Sequence, residues 1–230
     1  MRWFMTLVVA LAAGFAGAAL WGASGLGGHS TRDYLLTHPE VLPEAMDVLQ
    51  QREQVARIGP LRRELETPFP GAVLGNPRGS VTLIEFSDYA CTYCRQSAND
   101  VAALVAADPS LRVVIREYPI LAPESVDAAR MALAAAQQGR YASFHDAMFR
   151  LGPPNADTIA AAATEAGVDL AQARAAIASG VFDAHLQANG QLAAQVGISG
   201  TPGWIVGDRA LNGAVGREKI SEAIEEARAS

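Results

Sequence analysis

The two cysteines of this chain, Cys91 and Cys94, stand three positions apart where a strand pattern gives way to a helical one, and that junction limits what the chain can become. Before it, Val81 to Asp88 (VTLIEFSD) is β-branched and aromatic, the pattern of a strand buried in a sheet. After it, Val101, Leu104 and Val105 fall at helical spacing among alanines, which predicts a helix from near Cys91 to about Ala107, stopped by Asp108 and Pro109. A strand that feeds a helix at a cysteine sets that sulfur beside unpaired backbone N–H groups and the positive end of the helix dipole. Both favour thiolate over thiol. Cys94, one turn later on the same side, is placed to attack a mixed disulfide on Cys91 and release a substrate.

Three chemistries use such a pair: a structural staple, half of a metal site, and dithiol exchange. Closing a loop of about four residues removes only roughly 2 kcal/mol of denatured-state entropy. A chain of 230 residues, half of them hydrophobic, can bury a core without that help, whereas stapled scaffolds are short and rich in cysteine. Structural zinc wants four ligands, and His29, His38, His145 and His185 form no second cluster with ligand spacing. Redox chemistry remains, and it requires neither a metal nor a cofactor. His145 and His185 fall in a helical stretch and read as structural histidines. A net charge of -6 without a basic run argues against nucleic acid.

Two further positions stand out. Thr201-Pro202 lies between glycines and leads into the apolar run Trp204, Ile205, Val206; a proline removes a ladder hydrogen bond, so it belongs at the beginning of a strand. Glu85 is unexpected inside an apolar strand, because a carboxylate buried without a partner is costly and tends toward a raised pKa. Alternation through Thr82, Ile84 and Phe86 leaves open whether Glu85 faces the core or solvent. Asp88 and Tyr89 read as setting the turn before the helix.

Elsewhere, Leu111 to Ile120 reads as the next strand. From Glu124 to about Val196 the chain is alanine-rich, and breaks at Gly152-Pro153-Pro154 and Gly167 divide it into three or four helices. A hairpin with a Gly207-Asp208 turn and a final helix over Arg217 to Arg228 follow.

At the other end, no residue from Trp3 to Gly28 is charged, and Trp3 and Trp21 are separated by about 27 Å of helix, suited to the two interfaces of a bilayer. Ala16-Gly17-Ala18 has the small residues of a processing site, so a cleaved signal peptide competes with the favoured reading of an uncleaved anchor. Either way the remainder is exported, to a compartment where a dithiol can cycle as a disulfide. Between anchor and catalytic domain, Tyr34-Leu35, Val41-Leu42, Val48-Leu49 and Val55-Ala56 recur every seven residues, which points to self-association, although Pro39 and Pro43 interrupt a continuous helix near its start. A single amphipathic helix lying on its own catalytic domain is the alternative.

GNPRGSVTLIEFSDYACTYCRQ, followed by GISGTPGWIVGDRALNGAVG, resembles the DsbA-type branch of the thioredoxin superfamily, and within it the ScsC-like periplasmic members with an added N-terminal helical segment, over roughly residues 30 to 230. The resemblance implies an α/β thioredoxin fold over 67–230 with a helical subdomain inserted at about 122–196. A helical stalk over 29–66, a possible oligomerisation segment, and a membrane-spanning or signal segment over 1–28 would precede it. By the same resemblance, Cys91 and Cys94 are catalytic, Glu85 lies beneath Cys94 and helps to deprotonate it, the Thr201-Pro202 bond is cis against the CxxC, and Thr201, Pro202, Thr92 and Tyr93 meet the substrate.

The implied function is extracytoplasmic thiol-disulfide exchange on cysteines of exported client proteins, with a membrane redox partner. Tyrosine before the second cysteine and threonine before the proline occur together in isomerases and ScsC-like proteins, so isomerase or reductase activity is expected to outweigh oxidation. Thr92 departs from the glycine or proline usual at its position. Two alternatives remain open: a monomeric DsbA-like oxidase, and a non-catalytic tethered module that binds a client or Cu(I), for which soft thiolates are suited.

Overall fold

A computed structural model describes residues 2–23 and 31–229. His29 and the end of the expected anchor, 24–28, lie outside the described residues. The first 50 residues and residues 51–230 are separate compact units. In the first, α1 (Arg2–Ala23) contains Trp3–Trp21, a 19-residue span of mean hydropathy 2.0, long and apolar enough to cross a membrane. The short α2 (Thr31–Thr37) stops before Pro39, and α3 (Val41–Ile58) begins beyond it, as a proline-interrupted pattern requires. A turn of 3-10 helix at Gly59–Leu61 and α4 (Arg62–Glu66) complete the lead into the sheet.

The sheet has the order β1-β3-β2-β4-β5. Strand β2 (Val81–Ser87) runs into α5 (Thr92–Ala107) and returns as β3 (Leu111–Glu117), parallel to β2. Both central strands are buried on two sides, and apolar residues dominate their middles, Leu83-Ile84 and Val113-Val114-Ile115. Leu111 to Ile120 was the expected extent of β3; it ends at Glu117, ahead of Pro119. β1 (Val73–Gly75) pairs antiparallel with β3 and is too short to leave a periodic signal. β4 (Gly203–Val206) and β5 (Arg209–Asn212) form the expected hairpin, and α11 (Arg217–Ala229) covers it. A Cβ on Gly203 would clash with the Ile198 side chain, which would have to shift to admit a larger residue at the start of β4.

Five helices separate β3 from β4: α6 (Pro123–Gln137), α7 (Tyr141–Leu151), α8 (Ala156–Glu165), α9 (Leu170–Ala178) and α10 (Asp183–Gln195). The sequence pattern predicts three or four, with breaks at Gly152 and Gly167; two further breaks fall at Gly139 and Gly180. Both of those adopt positive φ, 67° and 72°, just past the ends of α6 and α9.

The core has two parts. On one sheet face Leu83, Val113, Ile115 and Trp204 pack with α5, α11 and the inserted helices. On the other, Ile84, Phe86, Val114 and Ile205 pack with Leu192 and Ala193 of α10 and with Ile58 and Leu65, which fall inside the expected stalk. Arg116 secures that junction: its guanidinium donates to the carbonyls of Glu64, Leu65 and Thr67 and to Asn189 Oδ1.

Candidate active site

Strand β2 delivers the chain to Asp88, whose carboxylate builds the turn ahead of the first cysteine. Oδ1 accepts the Ala90 N–H at 2.8 Å, while Oδ2 accepts those of Ile120 and Leu121 at 2.8 and 2.9 Å. Asp88 thus has the turn-setting place expected of it, and it also fixes the loop after β3 next to the cysteines. Cys91 is the N-cap of α5, with extended backbone (φ −78°, ψ 118°), and its Sγ accepts the Cys94 N–H at 3.3 Å. The same thiol donates to the Thr201 carbonyl at 3.3 Å. A sulfur in this position replaces the oxygen of an ordinary cap and accepts the N–H of the turn that it caps.

Both cysteines are free thiols. Cys94 is fully buried, and burial, reinforced by the nearby Glu85 carboxylate, raises its thiol well above the usual range. The Thr201-Pro202 bond is cis. Thr201 is half-buried and Pro202 buried, whereas Thr92 and Tyr93 are exposed on the first turn of α5. Cys91, Cys94 and Thr201 therefore come together, with Glu85 close to Cys94. Tyr93, Ile120 and Leu121 form exposed apolar surface on the segments that carry or adjoin them, at 63%, 45% and 54% accessibility.

Glu85 faces the core at 1% exposure, which resolves the ambiguity left by strand alternation. Burial raises its carboxyl from 4.5 to about 8, with the Ser87 hydroxyl opposing weakly. Neither carboxyl oxygen is in hydrogen-bond geometry with a described residue, Ser87 included. The protonated form is thereby favoured.

Sequence reading missed a second buried carboxyl. Glu117, at the end of β3, accepts the Tyr141 hydroxyl at 2.7 Å and the Tyr89 hydroxyl at 3.2 Å, and Tyr89 also meets His145 Nδ1 at 3.1 Å. Burial raises Glu117 to about 8 against the pull of both tyrosines, and Asp88 and Glu85 add to the rise. Burial lowers His145 to about 4, so the ring is neutral at physiological pH. His145 is packed in the core, and Tyr89 goes beyond its expected turn role. Among the described residues no group of three or more His, Cys, Asp or Glu side chains could hold a metal ion.

The sequence profile of the thioredoxin family matches residues 69–226, and that of the copper resistance protein ScsC N-terminal domain matches 32–56. A thioredoxin-like oxidoreductase from Silicibacter pomeroyi DSS-3 is 40% identical and superposes with a TM-score of 0.70, over 74% of this chain and 98% of that one. A periplasmic thioredoxin-like protein from Salmonella enterica serovar Typhimurium is 27% identical with a TM-score of 0.64, over 74% and 97%. The Na(+)/H(+) antiporter NhaA 3 of Salinispora tropica is 30% identical over 164 residues, 69% of this chain and 25% of the antiporter. The chain thus spans about a quarter of the length of the curated relatives it matches.

Proposed function

The chain belongs to the thioredoxin family, and from that premise we propose that it is an extracytoplasmic thiol-disulfide oxidoreductase acting on cysteines of exported proteins, with isomerase or reductase activity preferred over oxidation. The observation that carries this reading is the position of Cys91 Sγ, capping α5 between the Cys94 N–H and the Thr201 carbonyl. Attack by the Cys91 thiolate on a client disulfide forms a mixed disulfide and expels one client thiolate. Cys94 then gives its proton to Glu85 and attacks Cys91 Sγ; the Cys91–Cys94 bond forms, the second client sulfur leaves with the electron pair and takes a proton from water. Electrons are conserved: the client is reduced by two as the dithiol is oxidised by two.

Client recognition follows from the surroundings. The Thr201 main chain beside the reactive sulfur suits strand addition by an extended segment, while Pro202, Thr92 and Tyr93 border it and the exposed Ile120 and Leu121 suit the apolar residues of an unfolded chain. The apolar α1 and the periplasmic relative support export, with α1 as an anchor to the inner membrane and a membrane protein as redox partner. On α3, Leu42, Met46 and Leu49 are exposed along one stripe, which supports self-association of the stalk.

Ile58 and Leu65 belong to the core, so the test of assembly is deletion of residues 1–50. The full chain, in detergent, should be interconverted between two forms by dithiothreitol and glutathione disulfide while reducing insulin and refolding scrambled ribonuclease. The deletion variant should be a monomer with less isomerase activity and retained or increased oxidase activity. A full chain that sediments as a monomer and refolds ribonuclease no better than the deletion variant would replace the isomerase reading with that of a DsbA-like oxidase.

A further inference from the structure

The exchange described above leaves unused an open pocket of about 560 Å³ between α5, α7 and β1. A cavity of that size, walled mostly by apolar side chains with a few polar groups, has the form of a small-molecule site. Arg95, Ala98, Ala102 and Val105 line it from α5 at the spacing of one helical face, so the pocket follows that helix for about 15 Å. Beyond Arg95 the α5 and β1 walls are apolar, with Val101 and Leu74 beside Val105, and Phe149 lines the pocket from α7. A Cβ on Gly75 would lie 3.2 Å from the Val105 side chain, which places β1 at the Val105 end.

The charges in the wall are not evenly matched. Arg150 pairs with Glu165 and lies in the field of Asp146, so its charge is answered within the protein. Arg95 makes no hydrogen bond or ion pair among the described residues, and its Nε is enclosed without an acceptor. His145, in the same wall, is neutral and adds no charge. A half-buried guanidinium without an acceptor favours an incoming anion, and a carboxylate matches its planar fork.

We propose that this pocket binds a monocarboxylate with an unbranched apolar chain, its head on the Arg95 guanidinium and its tail along α5 toward Val105 and β1. The carboxylate accepts from the terminal nitrogens of Arg95, and the chain removes the Val101, Val105 and Leu74 surfaces from water. A cation at one end of an elongated apolar wall selects a ligand with one charge at one end, which excludes compact anions and uncharged chains alike. Extended dodecanoate spans the distance from Arg95 to Val105. Arg95 follows Cys94 in the chain, yet binding requires nothing of the dithiol, so the site stands whether or not the exchange reading does.

The test is photolabelling of the full-length protein in phosphatidylcholine nanodiscs with dodecanoate carrying a diazirine at the chain end remote from the carboxylate. Adducts mapped by mass spectrometry should fall on Leu74 and Val105 and on their neighbours in β1 and the last turn of α5. Arg95→Gln should lower their yield about tenfold, the loss expected for one charge-assisted hydrogen bond, and Arg95→Lys should recover part of it. Ala102→Trp, at an exposed position in the middle of the wall, should abolish these adducts with Arg95 intact and the unfolding midpoint unchanged. At equal free concentration, dodecanoate should displace the label about tenfold better than dodecanol. Label confined to α1, equal labelling of wild type and Arg95→Gln, or equal competition by dodecanol would overturn the proposal. Displacement by an apolar peptide with a free C-terminus but not by dodecanoate would assign the groove to a protein partner, and a yield that falls as protein concentration rises would assign it to a second copy of the chain. Either result would also overturn it.

Discussion

Glu85 and Glu117 sit on adjacent strands, on the same face and at the same 1% exposure, and burial raises each to about 8. They differ in what surrounds the carboxyl. Glu117 is the acceptor for two buried tyrosine hydroxyls, whereas Glu85 has no hydrogen-bond partner among the described residues. Equal burial with unequal partnering separates two reasons for keeping an acid in a core. Glu117 completes the hydrogen bonding of Tyr89 and Tyr141. Glu85 completes nothing, and its charge acts on the buried Cys94 thiol.

The same substitution should therefore act in opposite directions at the two positions. Glu117→Leu strands two buried hydroxyl donors, each worth about 1–3 kcal/mol when unsatisfied, so it should destabilise the protein by roughly 4 kcal/mol in denaturant unfolding at pH 5. At that pH the native carboxyl is protonated and little electrostatic relief offsets the loss. A cost under about 1 kcal/mol would mean that the tyrosines do not depend on Glu117.

Glu85→Leu should be the smaller and opposite effect. A carboxyl raised from 4.5 in the unfolded chain to about 8 in the fold is neutral in both states below pH 4.5; as pH rises, the unfolded state ionises first, and stability falls until pH 8. By pH 7 the loss is roughly 3 kcal/mol, and Glu85→Leu should restore it, flattening the decline between pH 5 and 8 while slowing release of client from mixed disulfides. An unchanged pH dependence of stability would show that Glu85 is solvated or paired in solution.

Asn155→Ala gives the smallest effect and a control. Asn155 caps α8 with a reciprocal capping box, far in sequence from the cysteines, and its loss should cost about 1 kcal/mol with exchange rates unaltered. A matching fall in exchange would mean that global stability, and not the local carboxyls, governs the Glu85 and Glu117 variants.

The sequence made one of these carboxyls visible and hid the other. Glu85 interrupts an apolar run six residues before Cys91 and is an anomaly at sight, although its orientation required the sheet. Glu117 stands in REYP, where a strand meets a proline and an acid looks solvent-facing. Its partner Tyr141 lies 24 residues downstream, and His145 meets Tyr89 across 56, so only the packing of α7 on the sheet brings them together. The strand–CxxC–helix junction, the hairpin and the last helix depend on local pattern and were legible. β1 has three residues and no period, and the helix break at Gly180 follows an alanine-rich run in which one glycine of positive φ marks the boundary.

Mixed-disulfide trapping tests the central claim most directly. Full-length Cys94→Ala, incubated with disulfide-bearing exported proteins and quenched with acid, should accumulate covalent adducts that dithiothreitol removes, and Cys91→Ala should accumulate none. Equal trapping by both variants, or adducts on Cys91→Ala alone, would contradict the assignment of Cys91 as nucleophile and Cys94 as resolving thiol.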